Sequence, residues 1–380
     1  MGKRISYGVI GCGMMGQEHL RNIALLPDAG VAAIYEPDAA MRAQAAALAP
    51  EASMAGSIEA LLGQSRLDCL LIASPNHLHF AQLKEIAAIR ALPVLVEKPL
   101  FSDPVHAVAV RSFAETYPAP LWVAMEYRYM PPVARFIEQA EEVTGGIRML
   151  TIREHRYPFL EKVDGWNRFN RNTGGTFVEK CCHFFDLMRF ILKSEPVRIM
   201  ASAGQEVNHL DESYGGETPD IWDCGYVLAD FANGARAMLE LCMFAEGSRY
   251  QEEISAVGAS GKIECLVPGP RRFRPAELGA APTAQVIVSP RRPQGPYAVE
   301  IPVDQTLLAA GDHNGSTFYQ HQRFCAVLRG DAPVEVTVED GWKAVAMGMA
   351  AQMSSNSAAA ITDPFEAIAR HTRVGKRPDI

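Results

Sequence analysis

The chain has 380 residues, 48% of them hydrophobic, enough to bury more than one core, and this length sets an expectation of about two to three domains. Lys and Arg number 36 against 44 Asp and Glu, and the formal charge of -8 argues against a nucleic-acid surface or an anionic membrane as partner. The 8 cysteines form no CxxC pair, so they read as reduced thiols of a cytoplasmic protein, and the apolar runs are too short and broken for a signal peptide or membrane span.

From residue 5 to residue 124, short apolar runs alternate with amphipathic stretches. Residues 5–10, 31–35, 68–73, 93–97 and 121–124 predict strands; 17–26, 39–48, 78–90 and 104–115 predict helices. Strict alternation of this kind predicts a doubly wound parallel sheet, a Rossmann domain over residues 1–124. A helix at 133–142 then opens a second domain, 125–380. Strands are expected there at 146–157, 197–205, 226–231, 235–244, 252–257 and 262–267, and helices at 184–192, 317–328 and 341–352. Asn233-Gly234 predicts a two-residue hairpin turn, and the proline-, glycine- and arginine-rich stretch 268–296 predicts a loop. The second domain is therefore expected to be α/β with a large open, mostly antiparallel sheet.

Gly11-Cys12-Gly13-Met14-Met15-Gly16 follows the first strand and opens a helix. Such a turn needs glycine conformations, and the amides at the helix start suit a dinucleotide pyrophosphate. Glu36 ends the second strand, where a carboxylate accepts from both ribose hydroxyls and repels a 2'-phosphate, so NAD is expected over NADP. The competing reading makes Glu36 a cap for the helix after Pro37. Ser74-Pro75-Asn76-His77-Leu78-His79 follows the strand 68–73 at its ligand-binding end, with Asn76 aimed at ribose or nicotinamide. His77 and His79 do not share a helix face, so no metal site is expected, and His79 leans toward a structural role.

Val94-Leu95-Val96-Glu97-Lys98-Pro99 ends a buried strand in a cation opposite the glycine turn. A Lys98 partly desolvated near the positive nicotinamide is expected to have a lowered pKa and to polarise a substrate oxygen or share its proton. In the second domain, Gly174-Gly175-Thr176-Phe177-Val178-Glu179-Lys180-Cys181-Cys182-His183-Phe184-Phe185-Asp186 places Glu179, His183 and Asp186 on one face if the stretch is a continuous helix. His183 is the candidate for exchanging a hydroxyl proton, with Glu179 and Asp186 orienting the group.

Together, GCGMMG, ASPNHLH, VEKP and GGTFVEKCCHFFD resemble the glucose-fructose oxidoreductase and inositol dehydrogenase family, a resemblance that extends to VGASGKIE and Asp340-Gly341. It implies NAD as cofactor, bound by Gly11, Gly13, Met14, Met15, Gly16, Glu36, Ser74, Pro75, Asn76, His79, Glu97 and Lys98. It makes Lys98 the lysine of the Glu-Lys-Pro motif and His183 the proton-exchanging histidine. Glu179 stands where many members carry aspartate. The family's open sheet mediates self-association, which implies a homodimer or homotetramer.

Cations are dense in Arg153-Glu154-His155-Arg156, Lys162, Trp166-Asn167-Arg168, Arg171 and Lys180. They read either as a solvated strand edge or as a site for an anionic substituent, since guanidinium groups fork onto carboxylate, sulfonate or phosphate. The expected substrate contacts are Arg156, Trp166, Arg168, Arg171, Lys180, Asp186 and His313. The function expected is hydride transfer at a ring secondary alcohol of a sugar, cyclitol or anionic sugar. An alternative implied by the resemblance is a redox-neutral glycosidase that oxidises, eliminates, hydrates and reduces, acting on an anionic sugar such as a sulfoquinovoside. A non-catalytic sensor on the same fold needs neither Lys98 nor His183.

Overall fold

The computed structural model describes residues 4–292 and 294–373. Its first sheet holds β1 (Ile5–Ile10), β2 (Ala29–Tyr35), β3 (Ser53–Met54), β4 (Cys69–Ile72), β5 (Val94–Val96) and β6 (Leu121–Val123), all parallel, in the order β3-β2-β1-β4-β5-β6. The crossovers are α1 (Met14–Ala24), α2 (Ala39–Leu48), α3 (Ile58–Leu62), α4 (His79–Ile89) and α5 (Ala107–Thr116). Because helices lie on both faces, β4 and β5 are buried at every position and their sequences run apolar without alternation. Strand order reverses between β1 and β4, which opens a crevice at their carboxyl ends. β3 and α3 escape the sequence pattern because neither is long enough to establish a period.

The remainder contains α6 (Pro131–Thr144), β7 (Ile147–His155), α7 (Asn170–Thr173), α8 (Thr176–Glu179), α9 (Cys182–Leu192), β8 (Pro196–Gly204), β9 (Cys224–Phe231) and β10 (Arg236–Cys242). It continues through β11 (Glu252–Gly258), β12 (Gly261–Val267), β13 (Gln285–Pro290), β14 (Tyr297–Glu300), α10 (Gln305–Ala310), α11 (Ser316–Arg329), α12 (Val338–Ser357), β15 (Ile361–Thr362) and α13 (Pro364–Arg373). Its strands form one 9-stranded sheet in which β7 and β10 pair in parallel and the other pairs are antiparallel. α6 packs on β12 and β13, and α12 on β8. The opposite face carries exposed Met149, Tyr226 and Leu228.

Three local expectations are corrected. The stretch 268–296 is not all loop, since β13 pairs with β12 and buries Val286 and Val288 in alternation. At Asn233-Gly234 only the glycine takes a positive φ, of 83°, so the connection is wider than a two-residue turn that needs both residues left-handed. The stretch from Glu179 to Asp186 is not one helix: α8 stops at Glu179 and α9 begins at Cys182.

The late helices return to the first sheet. Val123 N–H donates to Val336 O at 3.1 Å, α11 packs on α1, and α12 packs on α5 and β6. One clasp fastens this return. Glu18 of α1 accepts from Asp312 N–H at 3.0 Å and pairs with His313 Nδ1 at 2.8 Å, while Thr317 Oγ1 lies 3.0 Å from Glu18 and 2.6 Å from Glu126. Burial opposes charge on both partners, yet the pairing wins: Glu18 and Glu126 raise His313 to about 10, and His313 brings Glu18 down to about 2.

Because the folded value of His313 stands above its ordinary 6.5, its contribution to stability is complete below that pH and is lost as pH rises through about 10. His313→Gln is therefore expected to cost most near pH 5–6 and progressively less toward about pH 10 in urea unfolding of the two proteins. A difference that stays flat with pH contradicts the clasp. In α12, a Cβ on Gly348 meets Phe177 O at 2.7 Å and Val178 Cα at 3.0 Å, so Gly348→Ala should destabilise the fold by about 1–3 kcal/mol, read by the same method.

Candidate active site

Gly11 holds a φ of 88°, and a Cβ there stands 2.5 Å from Ser74 N, so only glycine lets β1 and β4 end this close together. A Cβ on Gly16 collides with Gly11 O. Gly13, the N-cap of α1, has no side-chain cap, and a Cβ on it meets nothing within 4 Å, which leaves room for a ligand over the helix start beside half-buried Met14 and Met15. Glu36 accepts from Cys12 N–H at 2.5 Å and Asp38 N–H at 2.9 Å, so its carboxylate faces the turn. Asp38, not Glu36, caps α2, by accepting Met41 N–H at 2.8 Å. The turn, the open space above Gly13 and the carboxylate fit a dinucleotide pyrophosphate and its ribose. A cleft of about 580 Å³ lined in part by Met14, Gln17, Arg271, Arg272 and Asp312 lies alongside.

After β4, Ser74 Oγ donates to Gln82 Oε1 at 2.6 Å, and half-buried Pro75 caps the short turn that starts at Asn76. His79 is buried with both ring nitrogens against backbone carbonyls, Pro99 O at 2.8 Å and Ser74 O at 2.9 Å. It ties two loops together rather than reaching a cofactor, which corrects its placement among the cofactor contacts. Asn76 Nδ2 donates to the Glu179 carboxylate, so it reaches across to α8.

Asn76, Lys98 and Lys180 gather on Glu179. Lys98 Nζ donates to Glu179 O at 3.1 Å, and Lys180 Nζ lies 3.6 Å from Glu179 Oε1. His183, 4% exposed, lies flat on Tyr127 with centroids 4.0 Å apart and planes 5° apart, and its Nδ1 has no partner among the described residues. Burial acts against the Lys98 charge, but Glu179, Cys182 and Glu97 outweigh it and hold the ammonium above its ordinary value. The lowering expected of Lys98 depends on the positive charge of a nicotinamide beside it, and the chain's own groups act in the opposite direction. Burial, then Lys98, His313, Lys180 and Arg156, drive His183 well below its ordinary value, so it is neutral. Burial and the charge of Arg156 bring Lys180 down to about 7, against the pull of Glu179. Lys162 is lowered too, chiefly by burial, with Lys98 and Arg156 contributing.

Some expected members lie elsewhere. Asp186 is fully buried in a fork with Arg128, at 2.6 Å to Nε and 2.5 Å to Nη2, so it neither orients His183 nor reaches a substrate. The break between α8 and α9 is what separates it from Glu179. Arg168, 3% exposed, is spent on Glu212 at 2.7 Å, and exposed Arg171 pairs with Glu217 over the Phe169 ring. Trp166 sits edge-on to His77 at 6.2 Å, beside the turn after β4. Arg156 does join the cluster: it pairs with Glu154 at 2.7 Å and lies over Tyr157. His313 commits Nδ1 to Glu18, with its ring 6.0 Å from Tyr127.

Tyr127 and Glu252 were not anticipated. Tyr127 lies in a single 3-10 turn that leaves no periodic signal. Glu252 opposes Glu154 across β11 and β7, buried, and burial with the Glu154 charge raises it to about 8. Its signal was available, as a carboxylate in the buried phase of an alternating strand. Glu154 Oε2, Arg156 Nε and Glu252 Oε2 are buried and lack partners among the described residues. Among those residues no group of three or more His, Cys, Asp or Glu is placed to hold a metal, and no helix is long and apolar enough to cross a membrane.

Residues 5–125 match the oxidoreductase family's NAD-binding Rossmann fold, and residues 139–362 match its C-terminal alpha/beta domain. Inositol 2-dehydrogenase 2 of Saccharopolyspora erythraea is 27% identical over 346 residues, 87% of this chain and 96% of that protein. The rhizopine catabolism protein MocA of Rhizobium meliloti is 26% identical over 241 residues, 63% of this chain and 71% of that one. A levoglucosan dehydrogenase solved with NADH and levoglucosan shares the fold at a TM-score of 0.76 and 20% identity, over 95% of this chain and 99% of that one. The chain belongs to the glucose-fructose oxidoreductase, inositol dehydrogenase and MocA family of oxidoreductases, and its first domain is that family's NAD-binding Rossmann domain.

Proposed function

We propose that the protein is an NAD-dependent dehydrogenase acting on a ring secondary alcohol of a sugar or cyclitol that carries an anionic substituent. The observation that carries this reading is the placement of Lys98, whose Nζ donates to Glu179 O at 3.1 Å, near a buried His183 that is stacked on Tyr127 with its Nδ1 unpartnered among the described residues, the first favouring the ammonium and the second the neutral imidazole. Bound at the glycine turn, NAD supplies the hydride acceptor. The hydroxyl proton has to leave as the carbon is oxidised, and neutral His183 takes it. Lys98 keeps its own proton and donates a hydrogen bond to the oxygen, where negative charge builds. Glu179 offsets the Lys98 charge, and Asn76 holds Glu179. Glu36 favours two ribose hydroxyls over a 2'-phosphate, hence NAD over NADP.

Arg156 pairs with Glu154, while burial presses Lys162 and Lys180 toward the neutral form beside Glu179, and a carboxylate, phosphate or sulfonate on the substrate would hold both lysines charged. We assign cofactor binding to residues 1–124, substrate binding to 125–380, and self-association as a dimer or tetramer to the sheet face bearing Met149, Tyr226 and Leu228. One observation favours a second reading, the redox-neutral glycosidase. Lys180, titrating near neutrality, is a base that net dehydrogenation does not require and that elimination next to a ketone does.

Incubation with NAD and a panel of inositols, aldoses, uronates and sugar phosphates is expected to yield stoichiometric NADH. Release of an aryl aglycone without NADH accumulation selects the glycosidase instead, and failure of both assays removes the proposal. Lys98→Ala should lower kcat by about 10²–10³-fold with NAD affinity kept within about twofold by fluorescence titration. Lys180→Met should raise KM for an anionic substrate more than for a neutral one. Since wild-type Lys180 loses its charge as pH rises through about 7, that penalty should fade at alkaline pH.

A further inference from the structure

Next to Glu18 on α1, His19 starts a second buried chain that the chemistry above leaves unused. His19 Nε2 lies 2.8 Å from Glu97 Oε1, and His19 Nδ1 lies 2.8 Å from His321 Nε2 of α11. His321 Nδ1 is 3.3 Å from the Tyr7 hydroxyl, itself 3.4 Å from Cys325 Sγ. The two imidazoles cross edge to face at 84°. Tyr7, His19 and His321 have no exposed surface, and Glu97 is 4% exposed. Glu97 Oε2 accepts the Lys98 backbone N–H at 3.1 Å.

Hydrogen-bond direction limits the protonation states. Glu97 only accepts when ionised, so His19 Nε2 carries a proton toward it. At the contact between imidazoles one nitrogen must donate. A charged His19 donates both ways, to Glu97 and to His321, and His321 then stays neutral and passes its Nδ1 proton toward Tyr7. The electrostatics agree. Burial opposes charge on His19, but Glu97, Glu126 and Glu18 raise it, whereas burial and His19 push His321 well down.

We propose that His19 and His321 are positioning residues: His19, braced by His321, pins the Glu97 carboxylate against the Lys98 amide and so fixes Lys98 and its charge environment beside Glu179. This rests on the reading above only in taking Lys98 as the proton-retaining group. Lys98 is faced by Glu97 on its own strand end, Glu179 of α8, Cys182 and His183 of α9, Lys180 between those helices, Arg156 after β7, and Lys162. Glu97 is faced by His19, Lys98 and His79, with Glu126 nearby. Of the groups facing Glu97, His19 is the one hydrogen-bonded to its carboxylate through a side chain. Without that cation a buried carboxylate beside Glu126 takes up a proton, and Lys98 loses one of the anions that offset its burial.

Competitive acetylation of the full chain with limiting acetic anhydride across a pH series, with Lys98 followed by mass spectrometry, reads this directly and needs no substrate. In His19→Gln and His321→Leu the midpoint for Lys98 should fall by about one pH unit, about tenfold more acetylation at a fixed pH. His321→Gln offers an amide oxygen where the ring accepted, and should stay within about threefold of wild type. An unmoved midpoint in folded His321→Leu, or equal movement in both His321 variants, overturns the proposal, with folding checked by circular dichroism. If Lys98 is not the reacting group, the dehydrogenase assays fail while the acetylation difference persists.

Discussion

Helix α1 has to serve two ends at once, and most of the site follows from that constraint. Its amino end is uncapped and open over Gly13, the room that the proposed pyrophosphate site requires. Further along, the same helix buries Glu18 and His19, which cost several kcal/mol each if left unpaired. The partners come from the other end of the chain, His313, Thr317 and His321. A division of the chain near residue 124 therefore describes connectivity better than it describes packing. The helix that presents the cofactor turn is held by residues some three hundred positions away, as the separations of 295 for Glu18 to His313 and 302 for His19 to His321 record.

Charge repulsion does in the second half what chain geometry does in the first. Lys98, Lys180, Lys162 and Arg156 sit close enough to influence one another, and burial presses every lysine and His183 toward the neutral form unless the carboxylates around it outweigh both burial and the neighbouring cations. Lys98 has Glu179 and Glu97 and stays charged. Lys180 has Glu179 at 3.6 Å but is opposed by Arg156 and two lysines, and becomes labile. His183 meets cations and the Tyr127 face, with no carboxylate among its main influences, and is left neutral. A neutral imidazole and a retained ammonium thus emerge from one cluster, the combination the proposed proton transfer needs.

The Rossmann half was legible because its signals are local. A glycine turn after an apolar run, a carboxylate ending β2 and a Glu-Lys-Pro ending β5 each lie within a few residues. What sequence could not supply was pairing across the chain. Nothing near Arg168 or Arg171 announces Glu212 or Glu217, so both read as free guanidinium groups when both are spent on ion pairs. Asp186 was misassigned for the same reason, its partner Arg128 lying in a 3-10 turn without a periodic signature. For Lys98, Glu179 was legible as an offsetting anion, whereas the added pull of Cys182, which outweighs burial together with Glu179 and Glu97, depends on how α9 packs.

The interruption between α8 and α9 is a requirement of packing. α12 runs directly behind α8, close enough that a Cβ on Gly348 meets Phe177 O at 2.7 Å, and Gln352 Oε1 accepts from Phe177 N–H at 3.4 Å. Gly175, just before α8, holds a φ of 93° with Gln352 filling the place of its missing side chain. Both α8 and α9 pack on α12. The chain bends at Lys180 and Cys181. Beyond that bend Asp186 meets Arg128, and Lys180, its ammonium 4.8 Å from the centre of the Phe159 ring, joins the cation cluster. The small residues of a helix more than 150 positions downstream thus decide which ionisable side chains of the segment reach the site, as the separation of 175 between Phe177 and Gln352 illustrates.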